Sequence, residues 1–211
     1  TYSLSDFLMF SARSYFRQFE LVNRDLWPLQ LPALAAGAAL VACILRARPA
    51  GSRIAFALLS LAWLAVAWAY HLARYADIST GAPYFAAGFG VQAGLLAWMA
   101  GKPRPALPAG KVALLIVLLA LAIYPLLAPL DVRSWWQAEV FALAPDPTVA
   151  ATFGVLLFWH APWPLWVIPL AWSAASSATL FELGAAQAWL LPAVALASVI
   201  ASRAQQVPRP E

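Results

Sequence analysis

Charge is scarce in this chain: 10% of its 211 residues are Asp, Glu, Lys or Arg, against about 25% in an ordinary soluble domain. So few ionic groups cannot cover a water-facing surface, and a separate soluble domain is excluded. Cysteine is nearly absent as well. Cys43 stands alone inside an apolar run, which excludes an intrachain disulfide and a cysteine-based metal site and leaves it a small packing residue. Histidine occurs twice, at His71 and His160. Lysine is confined to Lys102 and Lys111, both in one loop, so no lysine lies deep in a helix to carry a Schiff-base chromophore. No phosphate-cradling glycine loop, paired-histidine zinc helix or serine elbow is present. The expectation is a protein that is not an enzyme and holds no cofactor or metal.

What the chain has instead is long apolar runs, such as Leu34 to Leu45 and Val112 to Leu130. Hydrophobic residues make up 64% of the sequence, the mean hydropathy is +0.75 and there are eleven tryptophans. These numbers describe an all-α, polytopic transmembrane helix bundle. A span needs roughly 20 residues, so the chain holds about seven. The expected spans are 26–45, 54–74, 83–100, 112–130, two within 144–183, and 185–202. The stretch 144–183 is too long for one crossing, and His160-Ala-Pro-Trp-Pro164 breaks it into two. Gly101 to Lys111, rich in proline and basic residues, is a loop. One transmembrane domain therefore occupies 1–211: an amphipathic helix within 1–25, a seven-helix bundle over 26–202 and a polar tail over 203–211.

The amphipathic segment sets Leu8, Ala12, Tyr15, Phe16, Phe19 and Val22 against Arg13, Arg17, Glu20 and Arg24. Ser5 is placed to cap its start, with Asp6 near the positive end of the helix dipole. Either it lies in the membrane surface, or it packs over the bundle through the same aromatic face. Its first basic residue is Arg13, and no apolar core with a small-residue cleavage site follows, so no cleaved leader is expected.

Orientation follows the positive-inside rule. Eight basic residues (Arg46, Arg48, Arg53, Lys102, Arg104, Lys111, Arg203, Arg209) fall on one side and five (Arg13, Arg17, Arg24, Arg74, Arg133) on the other. The expected topology is a bacterial inner-membrane protein with a periplasmic N-terminus and a cytoplasmic C-terminus. The +4 net charge is scattered over short loops, so nucleic acid is not a partner; the lipid bilayer and other membrane subunits are.

Ionisable groups within a bundle are costly and mark function, and none is expected at mid-span. A polar cluster is expected on the outer face, made by Tyr70, His71, Arg74 and Asp77 with Glu182 or Asp131 as counter-charge; Arg24, Asp25, Arg133 and Glu139 fall on the same side. At helical spacing His71, Arg74 and Tyr75 share a side. Interfacial His, Arg and Tyr also snorkel and pair among themselves without binding anything, which is the more ordinary arrangement. Phe16, Phe19, Trp135 and Trp136 are the expected interfacial docking residues. In the third span Ala86, Gly90 and Gly94 form a small-residue stripe for close helix packing, and Ser173 and Ser177 do so in the sixth.

Several short motifs, Asp6-Phe-Leu-Met-Phe10 with Tyr15, Phe16, Glu20 and Asn23, Trp27-Pro-Leu-Gln30, Tyr70-His71, Asp146-Pro-Thr148 and Phe153-Gly-Val-Leu-Leu157, together resemble a bacterial multi-span membrane family known only as domain of unknown function 6064. The resemblance covers nearly the whole chain and implies a bacterial inner membrane. Two functions remain open: an accessory subunit docking in a larger membrane complex, or a small permease or solute-binding protein with an outward-facing site.

Overall fold

The computed structural model describes residues 10–106 and 110–205. The expected cap Ser5, together with Asp6 and Leu8, and tail residues 206–211 lie outside the described residues. The described chain is all-α. Its helices are α1 (Ala12–Asp25), α2 (Gln30–Arg46), α3 (Pro49–Val66), α4 (Ala82–Ala100), α5 (Gly110–Leu118), α6 (Tyr124–Leu130), α7 (Pro145–Phe158), α8 (Pro164–Glu182) and α9 (Leu190–Ala204).

Five segments are long and apolar enough to cross a membrane: Trp27–Arg46, Pro49–Asp77, Gly110–Leu130, Pro164–Glu182 and Ala186–Ala204. The other two expected spans, α4 and α7, form helices where the sequence put them but miss that measure. In α4, Pro83, Tyr84, Gln92 and three glycines dilute the apolar character. In α7 the helix has only 14 residues, about 21 Å of rise.

The shortness of α7 organises the molecule. All fourteen of its residues are buried, with α2, α3, α5, α8 and α9 packed round it. The stretch 131–146, the longest polar connection in the sequence, is exposed only near Asp131–Trp136, and from Ala138 to Trp159 every residue except the half-buried Val140 is buried. A non-helical segment, 138–144, thus enters the bundle ahead of α7. Its backbone is held from outside by Asn23, whose side-chain amide donates to the carbonyls of Trp136 and Ala138, both at 2.8 Å. Ala142 takes the left-handed conformation (φ 64), and its N–H donates to Thr148 Oγ1 at 2.9 Å. Irregular backbone inside a bundle needs such partners, because water is not there to supply them.

Two helices widen to π-helical turns, over Ala67–Leu72 after α3 and Leu119–Ile123 between α5 and α6. The second precedes Pro125, which has no N–H to close an ordinary turn. His160 turns the chain at φ 43 before α8 starts at Pro164, at the break expected from its two flanking prolines.

α1 begins at Ala12, capped by Ser11 rather than Ser5. It lies across one end of the bundle, against the π turn after α3 and the exposed turn Trp135–Gln137. Tyr15, Phe16, Phe19 and Val22 face inward and are at most 6% exposed.

Of the small-residue stripe of α4, Ala86 is buried but the two glycines make no close helix contact. A side chain built at Gly90 or Gly94 would meet nothing within 4 Å. The close helix approach is at Gly154 of α7, where a Cβ would fall 2.7 Å from Val117 Cγ2 and 2.8 Å from the Ala113 carbonyl. We expect Gly154→Ala to lower thermal stability in detergent by about 1–3 kcal/mol. Gly37→Ala, which meets only the flexible end of Leu121, should cost less. The α8 serines do pack: Ser173 is buried and Ser177 Oγ donates to the Ala188 carbonyl at 2.9 Å.

Candidate functional site

The break before α7 brings two carboxyl groups inside the molecule. Glu139 and Asp146 are each 1% exposed, and neither forms a salt bridge among the described residues. Asp146 sits in the first turn of α7, a favourable place for a negative group. Trp172 Nε1 donates to its Oδ1 at 2.8 Å, and Ser176 Oγ lies 2.8 Å from both carboxyl oxygens. These partners are six and ten residues from the end of α8 at Glu182, so Asp146 lies about 9–15 Å below that end. A carboxyl group therefore lies nearly halfway down the bundle, where the sequence reading expected none.

Glu139 is reached from the surface by a short chain of groups. Its Oε1 accepts from Gln187 Nε2. Gln187 Oε1 accepts from Arg133 at 2.9 Å, and Arg133 pairs with the half-exposed Asp131 at 3.3 Å. The Arg133 guanidinium also lies flat over Phe16, 3.8 Å from the ring centre. Gln187 forms part of a groove of about 320 Å³ between α6 and α9, lined with Ile123, Leu127 and Leu190. Burial, and then the neighbouring Asp146 carboxyl, push Glu139 up to about 8, against smaller lowering effects from Gln187 and Arg133. It is therefore mostly protonated at neutral pH.

Around this pair stand buried polar groups without partners: Glu139 Oε2, the Tyr124 hydroxyl and both ring nitrogens of His71. The Tyr70 hydroxyl also lacks a well-formed hydrogen bond. Tyr15, Tyr70 and Tyr124 all lie within electrostatic reach of both carboxyls. Burial first, then Tyr70 and the two acids, raise the Tyr15 phenol well above its ordinary value. His71 is fully buried among rings, with Phe89 4.6 Å and Trp172 5.1 Å away centre to centre. Trp172 thus touches His71 with its ring and Asp146 with its N–H. Buried polar atoms left unpaired are few in folded proteins, and a group of them calls for a reason.

The expected outer-face cluster divides. Tyr70 and His71 point into this nest. Arg74 instead pairs with Asp25 at the end of α1, and Asp77 and Glu182 are exposed. Phe16 and Phe19 pack inside the chain, whereas Trp135 and Trp136 face outward at 63% and 37% exposure. Glu139, expected among the outer-side polar groups, is buried instead, and the sequence reading missed Asp146, Tyr15, Tyr124 and Trp172 as site residues. The available signal was Asp146-Pro-Thr148, an acid directly ahead of an apolar run. His71 and His160 lie at opposite ends of the bundle, and no group of three His, Cys, Asp or Glu suited to a metal occurs among the described residues.

A family model described as a family of unknown function (DUF6064) matches residues 12–208. No curated protein and no solved structure matches the chain.

Proposed function

Because the chain belongs to DUF6064, a family of unknown function, we propose its role from its own geometry: a non-enzymatic, permease-type integral membrane protein whose buried acid pair binds a proton. In this reading it crosses a bacterial inner membrane seven times, with α4 and α7 completing the bundle, its N-terminus periplasmic and its C-terminus cytoplasmic. The carrying observation is Glu139 and Asp146, buried at a break in the helices with no cation bonded to either.

Two ionised carboxylates so placed would repel each other at great cost, whereas one proton held on Glu139 removes most of that cost. Broken helices with polar groups at their ends are a recurring way to build such a site within a membrane. The unpaired nitrogens of His71 and the hydroxyls of Tyr70 and Tyr124 offer hydrogen-bond donors and acceptors through which a proton can be exchanged, while the proton itself resides on the acid pair. The docking-subunit reading drew on Phe16, Phe19, Trp135 and Trp136; the first two are used inside the chain, while the two tryptophans remain exposed.

The test is reconstitution into vesicles containing a trapped pH-sensitive dye. An imposed pH gradient should decay faster with the wild-type protein than with Asp146→Asn or Glu139→Gln, both reduced to the rate of protein-free vesicles. Equal decay for all three proteins would leave the acid pair with a structural role only.

A further inference from the structure

A second groove lies where α2 and α6 meet the turn Trp135–Gln137. It encloses about 340 Å³, and its walls include Trp27, Leu34, Pro125, Trp135 and Trp136. Trp27 and Trp136 meet edge to face with ring centres 6.5 Å apart, both partly exposed. Directly above, the Arg24 guanidinium stands 4.8 Å from the centre of the Trp136 ring. Arg13, Arg17 and Arg24 are exposed along the outward side of α1.

Two acids answer these bases. Glu20 pairs with Arg24 at 3.0 Å, while Asp25 is taken by Arg74. Among the described residues neither Arg13 nor Arg17 has a salt-bridge partner. The stripe therefore carries a net positive charge beside indoles, which favour the headgroup layer. Beneath it the exposed side chains are apolar: Leu31 and Leu34 on α2, Leu126 on α6.

We propose that this groove binds one anionic phospholipid from the leaflet on the α1 side. Its phosphate rests against Arg24, with Arg17 and Arg13 about 10 and 16 Å back along α1 adding to the positive potential, its glycerol sits among Trp27, Trp135 and Trp136, and one acyl chain runs past Leu34 and Pro125. A basic stripe over an apolar, indole-lined slot matches the two ends of such a molecule. A neutral headgroup meets the same slot without the charge, and a protein segment would have to supply both ends itself. The inference is independent of the acid pair, since it needs only that the chain sits in a bilayer.

The test is native mass spectrometry of the purified full chain in mild detergent, with phosphatidylglycerol or phosphatidylcholine of matched chain length added. Wild-type protein should retain the anionic lipid preferentially, with a loss of about five-fold for each arginine replaced near the surface. Arg17→Ala with Arg24→Ala should remove most of the preference, while Lys102→Ala at the opposite end should leave it intact. Both α1 arginines are exposed, so folding is not expected to confuse the result. As a second readout, quenching by bromine-labelled phosphatidylglycerol should fall when Trp135 and Trp136 are both changed to Phe. Equal retention of the two lipids by the wild type, a preference surviving Arg13→Ala, Arg17→Ala and Arg24→Ala together, or a loss just as large in Lys102→Ala would each overturn the proposal.

Discussion

Asp146→Ala is expected to be among the most damaging single changes to this protein, lowering stability by about 2–6 kcal/mol. The carboxyl accepts from Trp172 Nε1 and Ser176 Oγ in a region closed to water. Truncation leaves both donors buried and unsatisfied, at about 1–3 kcal/mol each. It also opens space at the start of α7, which is packed on every side. Asp146→Asn retains an acceptor for Trp172 and should lose less than half as much. Thermal unfolding in detergent separates the two, and a Tm for Asp146→Ala equal to wild type would show that α8 finds other partners without cost.

The second large effect concerns pH. The Glu139 carboxyl is raised from an ordinary value of 4.5 to about 8, so the folded protein holds its proton more tightly than the unfolded chain does. At pH below 4.5 both states are protonated and the group has no effect on stability. Between 4.5 and 8 the unfolded chain releases a proton that the folded one keeps, so stability falls as pH rises; above about 8 both are ionised and the fall stops. The full fall is about 5 kcal/mol as an upper bound. Glu139→Gln cannot ionise and keeps a polar group beside Gln187. Its profile should fall less steeply than the wild type's over the same window, and it should exceed wild type in stability at pH 9. A wild-type profile just as shallow as the variant's would mean that the glutamate is wetted or paired.

Much of the architecture was legible because helix-forming apolar runs and proline breaks are local signals. The breaks that begin at Gly101 and at His160 and the placement of Tyr70 and His71 at the end of one helical segment all came from short stretches of sequence. The site was not legible, because its contacts are long-range. Asp146 meets Trp172 and Ser176 across 26 and 30 residues, and Glu139 meets Gln187 across 48. The turn residues Ala138 to Ala144 look like the end of a polar connection until Asn23 is seen to hold two of the carbonyls bounding it.

The direction of amphipathic faces was equally hidden. Tyr15, Phe16 and Phe19 would suit a lipid surface or a bundle end equally well, and only packing against Tyr70, with the Phe19 and Tyr70 rings 5.0 Å apart, selects the second. Gly90 and Gly94 have the spacing of a helix contact yet face open space. Gly154, four residues after Ala150 in the same small-residue spacing, makes the contact.

The central claim is that a proton resides on Glu139 within the bundle. An infrared pH titration of the reconstituted protein tests it most directly, by following the carbonyl stretch of protonated carboxyl groups. A band lost with a midpoint near pH 8, in wild type and not in Glu139→Gln, is the expected result. A wild-type spectrum whose carboxyl bands all vanish in the ordinary acidic range would contradict the account.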